Sequence, residues 1–268
     1  MTSLLESDVR LDSDPHDSTT GPTDHPHQFR ALRLDTTFRT TNTAERLQWL
    51  RRQVAGTIVF TTSFGLEDQA LTHLIAHSGI AVDYVTLDTG RLFPESYQVW
   101  AATEQRYGIR IRGYYPDSAA IEALVDRQGI DGFYASPAAR KACCAVRKVA
   151  LLRRALSGAA GWITGLRADQ SALRQELDFV TFDEDHQVIK ANPLLDWSRD
   201  AVTALVATAQ IPSSPLHQRG FLSIGCAPCT RAVGPGEAER AGRWWWEDEP
   251  VKECGLHLAP DGRLVRAK

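Results

Sequence analysis

The sequence predicts an α/β fold with a mostly parallel central sheet flanked by helices, followed by a C-terminal arm. Three observations carry that expectation. Short β-branched runs alternate with helical periodicity from residue 43 to residue 209, the rhythm of parallel βαβ units. Three candidate motifs, Thr62–Asp68, Leu87–Gly90 and Gly165–Arg174, fall at the carboxyl ends of predicted strands, where open parallel sheets bind ligands. One pair of runs, Phe179–Phe182 and Val188–Lys190, reads as a hairpin around Asp183-Glu184-Asp185, so the sheet is parallel with an exception.

Taken in order, residues 1–38 are rich in Asp, Thr, Ser, Pro and His and are expected to form a flexible tail, with His16, His25 and His27 solvated. A helix over Thr43–Val54 carries Leu47, Leu50 and Val54 on one face, and Gly56 ends it. Thr57–Thr62 reads as a buried strand, and Ser63–Asp68 turns into a helix over Glu67–His77. The strand Val82–Leu87 is closed by Asp88-Thr89-Gly90, and Pro94 opens the next helix. A strand over Ile109–Tyr114, helices over Ser118–Asp126 and Ala145–Ala155, a strand over Gly161–Gly165 and a helix over Asp200–Ala209 complete the series. The expected division is a tail (1–38), an α/β domain (39–235) and an arm (236–268).

At 268 residues the chain can bury one sizeable core. A net charge of −3 argues against non-specific nucleic-acid or membrane binding, and no apolar run approaches the roughly 20 residues that span a bilayer. The polar, acidic N-terminus is not a secretory signal, so a cytoplasmic location is expected, with five reduced cysteines available for metal or redox chemistry.

Those cysteines divide into two doublets and one single. Cys143-Cys144 and Cys226-x-x-Cys229 make a four-thiolate set that suits zinc or an iron–sulfur cluster, and residue types alone leave both open. Lys148, one helical turn past Cys144, could offset the charge of such a centre and reach an anionic substrate. Cys254 has Lys252 and His257 beside it and Arg240 and Arg243 upstream, cations that favour a nucleophilic thiolate; an unimportant exposed thiol is the plain alternative. With the other four committed, no resolving cysteine remains, so an external thiol must complete any redox cycle. Trp244–Trp246 are expected to anchor the arm by packing.

The strand-end motifs point to an anion. In Thr62–Asp68 a glycine and a helix start offer backbone N–H groups, but the Walker lysine is missing, and Glu67 and Asp68 disfavour a bare triphosphate. An ordinary capped helix start explains this stretch equally well by itself. Arg167 and Arg174 could clamp an anion, or could be surface salt-bridge formers.

In combination, Cys143-Cys144-x-x-Arg147-Lys148-Val149, Thr164-Gly165-Leu166-Arg167-x-x-Gln170-Ser171, Asn192-Pro193-Leu194-x-Asp196-Trp197, Gly225-Cys226-x-x-Cys229-Thr230, Gly242-Arg243-Trp244-Trp245-Trp246-Glu247 and Glu253-Cys254-Gly255-Leu256-His257 stand in order over Thr57 to His257. This pattern resembles the assimilatory adenylyl-sulfate reductases within the phosphoadenylyl-sulfate reductase family. The resemblance implies a Rossmann-like adenine-nucleotide α-hydrolase fold, with Cys143, Cys144, Cys226 and Cys229 as [4Fe–4S] ligands. It implies Cys254 as the nucleophile that takes sulfite from adenylyl sulfate as S-sulfocysteine, and thioredoxin or a similar dithiol as the reductant, in cysteine biosynthesis. It places Ser63, Gly65 and Asp68 in the nucleotide loop, and Leu87 and Gly165 along the adenosine. It assigns Lys148, Arg174, Arg240, Arg243 and His257 to the phosphosulfate. A homo-oligomer is expected. Ala150 stands where the family usually has proline, which touches no named site. The competing readings are use of the 3′-phosphorylated nucleotide, alone or as a second substrate, and a non-enzymatic metal-binding nucleotide sensor. A thiolating tRNA modifier is disfavoured because the Ser-Gly-Gly-x-Asp-Ser loop is missing.

Overall fold

The computed structural model describes residues 26–248. Eight α-helices and six strands are ordered there as α1 (Pro26–Phe38), α2 (Thr43–Gln53), β1 (Ile58–Thr61), α3 (Leu66–Ser78), β2 (Asp83–Leu87), α4 (Pro94–Tyr107), β3 (Ile111–Tyr114), α5 (Ser118–Gln128), α6 (Pro137–Cys144), α7 (Ala150–Leu156), β4 (Gly161–Ile163), β5 (Val180–Asp183), β6 (Val188–Ala191) and α8 (Arg199–Thr208). The sheet order is β3-β2-β1-β4-β6-β5. All neighbours are parallel except β5 and β6, which form the expected hairpin with Phe182 opposite Ile189.

After β1 the chain builds outward to β2 and β3, then returns to lay β4 on the other side of β1. That reversal opens a crevice beyond the carboxyl ends of β1 and β4. β1 and β4 are buried on both faces, Ile58 and Phe60 in one core and Val59 with Trp162 in another, which explains their continuous apolar runs.

Two expectations change. The tail assigned to residues 1–38 is helical over its last third: α1 buries Ala31, Leu34 and Phe38 against β5, and Asp35 accepts from the Val180 N–H at 3.1 Å. Those three buried apolar residues are diluted by Arg and Thr, so bulk composition hides the helix. Residues 1–25 lie outside the described residues. The helix expected from Ala145 begins earlier, at Pro137, where the Ser136 hydroxyl accepts from the Ala139 N–H at 3.1 Å. Between α6 and α7 lies a π-helical turn over Ala145–Val149. Cys143 and Cys144 therefore end an α-helix, and Arg147 and Lys148 sit in the widened turn that follows, a distortion that often marks functional positions.

Candidate active site

The crevice holds a cavity of about 210 Å³. Its floor is the strand-end loops. Ser63 donates to the Asp68 Oδ2 twice, from its N–H and from its hydroxyl, both at 2.6 Å, closing Thr62–Asp68 into a ring. Burial pushes the Asp68 carboxyl up to about 6; the Ser63 hydrogen bonds oppose the rise, Glu67 adds to it and Arg174 opposes it. Phe64 within the ring adopts a left-handed φ of 63° and buries its side chain against Trp100, with ring centroids 5.7 Å apart. A Cβ at Gly165 would overlap Asp68 Oδ1, so a side chain there must displace Asp68. The bare backbone of the β4 loop thus packs on the Asp68 side chain of the β1 loop.

Ser63, Gly65, Asp68, Leu87 and Gly165 all face this cavity. So do Lys148, Arg174, Arg240 and Arg243, reaching it from the π turn, the β4 loop and the arm. Nine of the sequence-named contacts are therefore gathered in one cleft. Cys254 and His257 lie outside the described residues.

Cys226 also lines the cleft, and Cys143, Cys144 and Cys229 do not. Cys226 and Cys229 pack with Phe133 and Trp244 in one apolar cluster, and Cys143 and Trp246 lean on it. Cys144 is buried at the end of α6, within electrostatic reach of Cys229 and Arg140. None of the four thiols is spent on a disulfide. Burial pushes the Cys229 thiol up to about 12, with Cys226 beside it adding to the rise. Burial also raises Cys226, but Lys148, the Thr89 hydroxyl at 3.2 Å, Arg243 and Arg147 together bring it below the ordinary thiol value. Among the described residues no three His, Cys, Asp or Glu side chains are gathered tightly enough to hold one metal ion.

The arm is tied to this region as far as residue 248. Thr230 and Arg243 form a bridge, and the Trp244 N–H donates to the Cys229 carbonyl at 3.1 Å. The link turns Trp244 into a left-handed φ of 43°. A Cβ on Gly225 would collide with the Arg243 guanidinium, so that glycine seats the arginine against the segment preceding Cys226. Arg140, from α6, holds the arm at Glu247. It forms a two-pronged pair with Glu247 at 2.8 Å on each prong, with both side chains 1% exposed. Its guanidinium also lies 4.6 Å from the Trp244 ring centroid. Of the three tryptophans expected to anchor the arm, Trp244 is buried and Trp246 packs on Phe133, whereas Trp245 is 49% exposed.

The phosphoadenosine phosphosulfate reductase domain matches residues 57–232. The chain belongs to that family. It is similar to adenosine 5′-phosphosulfate reductase of Agrobacterium fabrum, 50% identical over 226 residues that cover 84% of this chain and 86% of that one. It is similar also to the Allochromatium vinosum protein of the same name, 50% identical over 200 residues, covering 75% and 78%. The fold resembles the crystal structure of phosphoadenylyl-sulfate reductase from Candida auris, with a TM-score of 0.66 at 24% identity over 77% of this chain and 97% of that chain.

For this family member the cleft also contains Gln170, a member of the motif after β4, and two residues that the sequence did not single out, His217 and Glu239. His217 Nδ1 faces the Phe221 carbonyl at 2.9 Å, and burial lowers its pKa while that hydrogen bond opposes the fall. Arg167, read either as one half of an anion clamp or as a surface salt-bridge former, is buried and makes ion pairs with Glu67 and Glu239 at 2.9 and 2.8 Å and with Asp169. Arg174 remains in the cleft wall, donating to Gln170.

Proposed function

We propose that this enzyme reduces adenylyl sulfate to sulfite and AMP in assimilatory sulfate reduction, with thioredoxin or a similar dithiol as electron donor. The observation that carries the reading is the convergence of a nucleotide-type loop, four basic side chains and Cys226 on one cleft. Thiolate and sulfate are both anionic, so their approach is repulsive unless cations offset it in a partly dry site. Lys148, Arg174, Arg240 and Arg243 are the cations that supply this.

In the proposed chemistry the Cys254 thiolate attacks the sulfur of adenylyl sulfate. An S–S bond forms, the bond from sulfur to the phosphate oxygen breaks, and AMP leaves with that electron pair. A thiolate of the external dithiol then attacks Cys254 Sγ, and sulfite departs with the electrons of the S–S bond. The second thiol of the donor closes its own disulfide and returns Cys254 as thiol, so the dithiol supplies both electrons.

Cys143, Cys144, Cys226 and Cys229 would hold a [4Fe–4S] cluster. Four thiols outside any disulfide, with Lys148, Arg147 and Arg243 lowering Cys226 among them, support an anionic thiolate centre of the kind that takes four cysteine ligands. Once bound, with all four ligand positions taken by cysteine, it would supply a fixed negative charge that orders these segments and sets the field at Lys148. Steady-state turnover of adenylyl sulfate and of its 3′-phosphorylated form, with thioredoxin as donor, tests the reading. Sulfite release from the first at a far higher kcat/KM is expected; preference for the second would overturn the substrate assignment.

A further inference from the structure

We propose that Arg167 is a positioning residue that neutralises the acidic wall of the nucleotide cleft and holds three of its basic groups in place; this rests on the nucleotide reading above. Arg167 is 0% exposed, and each of its three guanidinium nitrogens donates to a carboxylate. Nε donates to Glu67 at 2.9 Å, Nη2 to both oxygens of Glu239 at 2.8 and 3.1 Å, and Nη1 to Asp169. Glu239 takes a second cation, Arg199, at 3.2 Å.

Glu67 and Glu239 line the same cavity as Lys148 and Arg174. Two bare carboxylates there would repel a nucleotide phosphate, so their pairing with a buried cation is needed before the cleft can accept one. The connections run further. Glu67 adjoins Asp68, which closes the Ser63 ring. The Arg167 N–H donates to Gln170 Oε1 at 3.2 Å, and the same oxygen accepts from Arg174. Glu239 directly precedes Arg240, at the root of the turn that delivers Arg243. One planar fork thus joins the nucleotide loop, the β4 loop and the arm, a geometry that a single lysine ammonium does not match.

Calorimetric titration of the cluster-loaded full chain with AMP and with adenosine tests this. At an effective dielectric of about 20, one uncompensated charge about 8 Å from a phosphate weakens binding roughly 30-fold. Arg167→Met is therefore expected to lose AMP affinity by about that factor while adenosine affinity changes little. Adding Glu67→Gln and Glu239→Gln to Arg167→Met should restore most of the AMP affinity. Equal loss of AMP and adenosine, or no recovery in the triple variant, would overturn the proposal, the latter because it would mean that Arg167 touches the ligand. Glu239→Gln alone keeps an acceptor for Arg167 and is expected to fold even where Arg167→Met does not. It should bind AMP more tightly by severalfold, and weaker AMP binding would also overturn the proposal. AMP binding is independent of the sulfur chemistry. A chain that binds AMP normally but releases no sulfite therefore fails the activity reading and leaves the role of Arg167 standing.

Discussion

The two walls of the cleft are held by different forces. The loop after β1 is closed locally, by Ser63 on a residue five positions away, and the β4 loop is joined to it by Gly165 against the Asp68 side chain and by the Arg167–Glu67 pair. The cysteine wall is assembled from far-apart segments by buried side chains: Arg140 reaches Glu247 across 107 residues, and Thr89 reaches Cys226 across 137. The first wall is therefore expected to persist when the second is disturbed. The second should depend on each long-range tie, because losing one partner strands the other without water.

The largest separation of the two walls is expected from Arg140→Met. Leaving Glu247 buried without its cation costs about 3–5 kcal/mol, and pairing the change with Glu247→Leu should recover most of it. Chemical denaturation of the single and double variants measures this. AMP affinity of the folded single variant should stay near wild type, whereas a collapse of AMP binding would show that the two walls are not independent.

A smaller effect concerns pH and belongs to the first wall. The Asp68 carboxyl is raised by burial from 3.8 to about 6 in the folded protein. The folded state therefore binds more protons than the unfolded state between these values, and the contribution of Asp68 to stability falls as pH rises through that window. A shift of this size corresponds to at most about 3 kcal/mol. Asp68→Asn should flatten the stability profile between about pH 4 and pH 6 relative to wild type; parallel profiles would remove Asp68 as the cause.

The smallest effect expected is that of Gly165→Ala. Its methyl group must displace Asp68, at a cost of about 1–3 kcal/mol typical of overpacking. AMP affinity should drop while the iron content of the purified protein stays unchanged. Loss of iron together with nucleotide binding would contradict the separation of the walls.

How much of this was legible in the sequence follows the same division. The strand-end loops are local, and Thr62–Asp68, Leu87–Gly90 and Gly165–Arg174 could be placed from spacing and residue type. The cysteine doublets were visible as a set because thiols are rare. The partner of Arg167 at Glu239 lies 72 residues away, and nothing in the spacing links them. An arginine beside a strand end therefore read as either an anion clamp or a surface salt-bridge former, when it is a buried ion-pair hub. The π turn at Ala145–Val149 was hidden because Ala, Val, Arg and Lys also suit an ordinary helix. Helix α1 was hidden because its apolar residues, with Phe29 and Leu32 exposed among them, do not mark one face.

The central claim is that Cys254 carries the sulfur between nucleotide and dithiol. Intact-protein and peptide mass spectrometry after incubation with adenylyl sulfate, without reductant, tests it most directly. A sulfite-mass adduct confined to Cys254, removed by thioredoxin with release of sulfite, is the expected result. Sulfite production by a chain in which Cys254 remains unmodified, or by the Cys254→Ser variant, would contradict it.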